Sequence, residues 1–429
     1  MLNTTANDVH PPLYYLFSKS LYLAFGNKPI AYHLSAFLPY LVMVFLACTC
    51  IKNTFKSVTA LFLVTLLIFS SCTLRYSLEV RMYALAAMFV LLAYFSLYKV
   101  LKGNKIKYWC FFVLASLGAA YTHYYALLSV AFFYITLITV CFYKREFIKR
   151  TVFTCVLTVI AYLPWLFYGL LGAFTRTSDN WWLQEPPSLE DLIVFVFDYN
   201  LLFIAFLVVI CAFFVKFKKN STLKKSSSEN STSIISLETI WIASGLLALI
   251  GTIAVGYGLS YAVRPFFLER YLFPLAPVVF LIFAYCLAKL KLSKVICFVI
   301  LATYICFRAP VYYQDFVDKK IKNTCTSFFL DTVKPAPNAQ IITNNKHLYW
   351  TLIDYYYPNN RPVYHPNLLE NLDAVFDTNS SLNHESWLFW FGELSTDEQN
   401  LLLTKYDVKQ VINMWFADGW YRAYKLVSK

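Results

Sequence analysis

Ten apolar runs fill most of the first 309 residues, at roughly 31–51, 58–70, 82–100, 108–121, 124–142, 151–172, 192–215, 239–262, 271–288 and 294–309. Apolar stretches of this length are what the hydrocarbon core of a bilayer demands of a helix. Backbone N–H and C=O groups have no partner in lipid, so such runs fold as helices. The composition agrees: 59% of residues are hydrophobic, 19% aromatic and only 14% charged, where a soluble domain carries about a quarter charged residues. The expected fold is mainly α, a polytopic helical bundle in the cell membrane. No basic segment with an apolar core precedes the first motif, so no signal peptide is read there.

Charge sets the orientation. Residues 1–309 carry 26 Lys/Arg against 11 Asp/Glu, whereas 310–429 carry 11 against 13. Basic clusters follow each odd-numbered run, at Lys52/Lys56, Lys102/Lys105/Lys107, Lys144/Arg145/Lys149/Arg150, Lys216–Lys225 and Lys289/Lys291/Lys294. Positive loops stay in the cytoplasm, which places the N-terminus, the even loops and the C-terminal part outside. The basic balance is a topology signal, and no nucleic-acid partner is read from it. The 11 cysteines show no paired spacing, and residues 310–429 hold one of them, Cys325, so no internal disulfide is expected there.

Three segments follow: 1–30, an extracytoplasmic motif with an interfacial helix; 31–309, the transmembrane part; and 310–429, a small extracytoplasmic α/β domain. In the last, 340–343, 387–391 and 408–412 read as strands, with helices over 346–357 and 396–406. This domain has no glycine-rich phosphate loop, metal spacing or nucleophile elbow, and a structural or substrate-shaping role is expected of it.

The first segment opens with Asp8-Val9-His10-Pro11-Pro12 before an aromatic helix from Leu13 to Phe25. Prolines start helices well, because their missing N–H falls among the unpaired donors of the first turn. Asp8 and His10 therefore sit at a helix mouth. The outer loops collect the other reactive groups: Arg75, Glu79, Arg81 and Tyr83; His123, Tyr124 and Tyr125; Arg176, Asp179, Trp181, Trp182 and Glu185; Arg264, Glu269, Arg270 and Tyr271. Arg75, Glu79 and Tyr83 are spaced i, i+4, i+8 and are expected on one helix face, with Arg81 on the neighbouring face free for an anion. Arg81, Arg264 and Arg270 together could grip a phosphate, which guanidinium does bidentately. Each has a plain alternative as a structural ion pair or an interfacial anchor, and a lone histidine such as His123 more often satisfies the backbone. Asp198 is expected on an exposed surface stretch with Glu190 and Asp191, before a span starting at Leu201.

The stretches DVHPPLYY (8–15), YSLEVRMYALA (76–86), YTHYY (121–125) and ERYLFPLAPV (269–278) resemble the polyprenyl-phosphate-sugar-dependent glycosyltransferases of the GT-C fold. They are most similar to the dolichyl-phosphate-mannose–protein mannosyltransferase family, with the lipid A aminoarabinose transferases as more distant relatives. Each motif is weak alone; four in order over 8–309 are fairly specific. The resemblance implies transfer of a sugar from a polyprenyl-phosphate donor to an extracytoplasmic protein, glycan or lipid. His10 matches the family's basic residue near the donor phosphate, where Arg81, Arg264 and Arg270 are also read. Asp8 and Glu79, the acids nearest the motifs, are the candidate catalytic carboxylates, although Asp8 does not match the family's usual base, and Tyr83, His123, Tyr124 and Tyr271 are read at the substrate. No cofactor is named with certainty, and a divalent cation is left open. In the family, a first span and an acidic loop bearing the usual base precede the His-Pro-Pro motif. Seven residues precede Asp8 here, so slow transfer or none is expected of this chain. Two other readings stand beside the enzyme: an inactive remnant that binds or scaffolds, and a flippase for a lipid-linked glycan. A flippase should show internal repeats and charged or broken helices, and the sequence shows neither.

Overall fold

The computed structural model describes residues 10–26, 29–145, 147–170, 185–225, 236–263, 265–337, 339–352, 356–366, 369, 385–417 and 419–428. It divides into two compact units, Met1–Ala309 and Pro310–Lys429.

In the first unit each of the ten apolar runs is helical over most of its described residues. After α1 (Leu13–Phe25), seven helices among the described residues are long and apolar enough to cross a membrane: α2 (Ile30–Phe55), α5 (Tyr83–Gly103), α7 (Tyr124–Tyr143), α8 (Ile148–Gly169), α11 (Leu237–Ala262), α12 (Glu269–Lys289) and α13 (Lys294–Thr332), the last continuing beyond Ala309. Two further runs are bent pairs: α3 (Ser57–Phe69) with α4 (Ser71–Leu78), at 63°, and α9 (Leu189–Phe197) with α10 (Asn200–Lys216), at 80°. The tenth, α6 (Ile106–Ala120), has 15 residues, about 22 Å at 1.5 Å per residue, short of the ~30 Å core.

The α1 helix starts directly after Pro11–Pro12 and stops at Gly26, whose φ of 76° a side chain would resist. The core of the unit is aromatic. Tyr94 donates through its hydroxyl to the Trp241 carbonyl (2.8 Å), and Trp241 Nε1 returns a bond to the Tyr94 carbonyl (3.2 Å). Their rings stack at 4.6 Å, so the polar atoms of two large buried rings are satisfied where no water reaches. Lys216 Nζ donates to the carbonyls of Lys289 and Leu290, satisfying orphan acceptors at a helix C-terminus.

The second unit is a five-stranded sheet in the order β2-β1-β3-β5-β4. Its strands are β1 (Gln340–Thr343), β2 (Arg361–Tyr364), β3 (Glu385–Phe391), β4 (Tyr406–Phe416) and β5 (Gly419–Ser428), with α14 (Lys346–Thr351) and α15 (Thr396–Lys405) between them. The first three are parallel, and β5 runs antiparallel to β3 and β4. Alternate residues enter two cores, Ile341, Trp387 and Phe389 on one face, Ile342, Leu388 and Trp390 on the other. The sequence reading missed β2, which contains a proline, and β5, where Arg422 and Lys425 interrupt the apolar pattern.

Two expectations are corrected. Broken helices are present where the sequence shows none: the chain bends at Ser70, the expected end of the second run, and at Asp198, just before the expected start of a span at Leu201. Asp198 does not lie on an exposed stretch: its side chain is 3% exposed and pairs with Arg308, also 3% exposed, at 3.5 Å.

Candidate active site at the helix ends

The turn between α6 and α7 organises the site. His123 has extended backbone and caps α7, its Nδ1 accepting from the Tyr125 N–H at 3.2 Å. It is 3% exposed. Burial, helped by His10 and Arg270 nearby, lowers its pKa from the usual histidine value to about 3. The ring is therefore neutral at physiological pH, and since Nδ1 accepts, the proton sits on Nε2. The Leu13 N–H donates to the Tyr121 carbonyl at 3.0 Å, pinning the start of α1 to this turn. That bond brings the His10 ring to 6.2 Å from His123, stacked at 21°.

Three tyrosines close around the pair. Tyr83, the first residue of α5, is 5.5 Å from His123, and Tyr271 is 5.2 Å from it. Tyr125 stacks on Tyr271 at 4.8 Å. Arg270 lies over the Tyr271 ring at 5.9 Å. Its Nε is buried and has no hydrogen-bond partner among the described residues. A buried guanidinium donor without an acceptor costs free energy, and an anion supplied by a ligand would relieve it.

Between α4 and α5 the chain turns in extended conformation at Glu79, and the next helix starts at Tyr83. The expected single face of Arg75, Glu79 and Tyr83 is thus broken. The i, i+4 ion pair survives, with Arg75 Nε at 3.5 Å from Glu79. Arg81 is not free: its Nε lies 3.3 Å from the other oxygen of the same carboxylate. His33 Nδ1, at 2.9 Å from the Leu78 carbonyl, fastens this corner to α2.

His10, Tyr83, His123, Arg270 and Tyr271 come together. Tyr124 faces elsewhere, packing with Ala120, Tyr162 and Trp165, because consecutive residues at a helix start point to different sides. Asp8, Arg264, Arg176, Asp179, Trp181 and Trp182 fall outside the described residues. No cluster of three or more metal-ligating side chains occurs among the described residues. Tyr76 was missed as a site wall. It packs on Tyr83 at 5.0 Å and Phe273 at 4.8 Å, the first of these contacts being made across the turn at Glu79, which helical spacing does not foretell.

Residues 9–168 match the family model described as dolichyl-phosphate-mannose-protein mannosyltransferase. That stretch holds His10, Glu79, Arg81, Tyr83 and His123, and leaves out Arg270 and Tyr271. Among solved structures, ArnT from Cupriavidus metallidurans bound to undecaprenyl phosphate aligns over 97% of this chain and 88% of that one, with TM-score 0.55 and 11% identity. The apo state of the same protein aligns over 97% and 87%, with TM-score 0.43 and 12% identity. At this identity the likeness is one of fold, and the fold is that GT-C architecture. No curated protein matches the chain in sequence.

Proposed function

We propose that the chain is a membrane glycosyltransferase that moves a sugar from a polyprenyl-phosphate donor to an extracytoplasmic acceptor. The observation that carries this reading is Arg270, whose buried Nε lacks a partner among the described residues beside a neutral His123, His10, Tyr83 and Tyr271. A lipid phosphate supplies the missing acceptor. An apolar groove of 580 Å³ supports the lipid half: Leu13, Phe17, Leu38, Leu85 and Met88 line it, and Leu13 and Leu85 lie two to three residues from His10 and Tyr83.

In the proposed reaction an acceptor hydroxyl displaces the polyprenyl phosphate at the anomeric carbon in one step, with inversion. Arg270 stabilises the charge growing on the leaving phosphate, and His123 offers its Nε2–H as a neutral donor. A carboxylate takes the hydroxyl proton. Asp8 and Glu79 are the candidates, and Glu79 is held between Arg75 and Arg81. The outer orientation rests on the lysine clusters after the odd runs.

The test is binding of undecaprenyl phosphate to the purified chain, followed by transfer of radiolabelled sugar from the lipid donor in membranes. Arg270→Ala should weaken binding by about 1.5–3 kcal/mol, roughly ten- to hundredfold, with the fold intact. Unchanged binding in that variant removes Arg270 from the site. The two broken spans favour a second reading, translocation of the lipid-linked glycan. Movement of donor across vesicles without transfer would select it.

A further inference from the structure

The two helix breaks, far apart in sequence, meet at one arginine. Arg308, in α13, donates through Nε to the Phe69 carbonyl at 2.9 Å, and that nitrogen lies 3.5 Å from Asp198 Oδ2. Its two Nη atoms reach the Ser71 hydroxyl and the Tyr199 hydroxyl. Asp198 accepts from the Ser71 backbone N–H at 2.9 Å and from the Tyr304 hydroxyl at 3.5 Å. Asp198 itself has φ of 64°, a strained conformation for a residue with a side chain, which persists where the surroundings hold it.

The depth explains the need. Arg308 lies fourteen residues from the start of α13 at Lys294, and Phe69 twelve from Ser57. At 1.5 Å per residue both are about 20 Å along their helices, a distance shorter than the ~30 Å thickness of a hydrocarbon core. A helix interrupted there strands backbone groups that lipid cannot satisfy. The Phe69 carbonyl and the Ser71 N–H are two such groups, and Arg308 and Asp198 take one each.

The breaks also aim the site. The α4 helix, released at Ser70, ends at Glu79 and carries Tyr76. The α9 helix, stopped at Asp198, places Phe195 at 5.9 Å from Tyr76. Tyr76 in turn walls Tyr83 and Phe273, the latter three residues from Arg270.

We propose that Arg308 is a positioning residue: with Asp198 it clamps the breaks at Ser70 and Asp198, and so holds α4 and α9 where the phosphate site needs them. The clamp is a feature of the fold; its consequence for donor binding rests on the glycosyltransferase reading. A lysine would keep the charge but not the fork that reaches carbonyl, hydroxyls and carboxylate together.

The protein carries its own reporter. Cys72, 3% exposed, sits one residue past Ser71, with its sulfur 3.2 Å from the Ser70 hydroxyl. Cys286, fully buried in α12, serves as control. The experiment labels the full chain in detergent with a maleimide, quantifies both thiols by mass spectrometry, and measures undecaprenyl phosphate binding in parallel. In Arg308→Gln, Arg308→Lys and Asp198→Asn, Cys72 labelling should rise at least tenfold, Cys286 should stay protected, and affinity should fall about tenfold. Cys72 remaining protected in all three overturns the clamp. Cys286 labelling alongside Cys72 overturns it too, since Arg308 would then hold the whole bundle. Cys72 opening with affinity retained overturns the positioning role. Wild-type protein that does not bind undecaprenyl phosphate overturns the functional reading, and the clamp then stands or falls on Cys72 alone.

Discussion

Two arginine–carboxylate sites flank the α4 helix, one at each end, with nearly the same separations and opposite physics. At its start, Arg308 and Asp198 sit 3.5 Å apart with 3% of each side chain exposed. At its end, Arg75 and Arg81 sit 3.5 and 3.3 Å from Glu79, with the arginines 67% and 49% exposed and Glu79 28%. Distance alone would rank them equal. Solvent decides otherwise: an exposed pair is screened and worth about 0–1 kcal/mol, whereas removing one partner of a buried pair strands a charge, at about 3–5 kcal/mol. The buried site therefore fixes backbone, and the exposed one leaves its arginines able to exchange partners at little cost.

The largest effect that would break this comparison is Arg308→Leu, which should lower stability by about 3–5 kcal/mol, read as a drop in thermal melting in detergent. A loss below 1 kcal/mol would mean that Asp198 is hydrated and the pair is not buried in practice. The double variant Asp198→Leu/Arg308→Leu sharpens the point. With both charges gone, the stranded-charge cost disappears and the loss should fall below that of Arg308→Leu, leaving the unpaired Phe69 carbonyl and Ser71 N–H at about 1–3 kcal/mol each. No recovery would show that the packing of the long side chains, not the charge, is what holds the breaks.

His123 tests burial through pH. Its folded pKa of about 3 lies below the usual 6.5, so the unfolded chain takes up the proton first. The stability it contributes is present above pH 6.5 and is lost as pH falls from 6.5 toward 3. Melting measured between pH 7 and 4 should fall less steeply in His123→Asn, which keeps a helix cap and removes the titrating ring. The smallest effect belongs to Glu79→Gln, expected to change stability by less than about 1 kcal/mol. In radiolabelled transfer it separates roles: a base loses the reaction, whereas a mere counter-ion to Arg75 and Arg81 leaves it.

The sequence by itself determined the ten helical runs, the change of character after Arg308 and the start of α1 at Pro11–Pro12. Each depends on local terms: hydrophobic length against bilayer thickness, charge density, and the backbone chemistry of proline. It also brought His10, Tyr83, His123, Arg270 and Tyr271 onto one list, because charged and polar residues at span ends are unusual enough to stand out. Only the tertiary structure decided which of them meet. Tyr124 and Tyr125 are adjacent in sequence and part by about 100° of helix rotation, one toward Trp165 and the other onto Tyr271. Arg81 read as free, and an extended residue at Glu79 turned it back onto the carboxylate. Asp198 read as exposed, since its partner lies 110 residues later on a span that becomes its neighbour only in the folded bundle. Hydropathy reports how each segment partitions between water and lipid; it carries no record of which segments touch, and a buried ion pair exists only once they do.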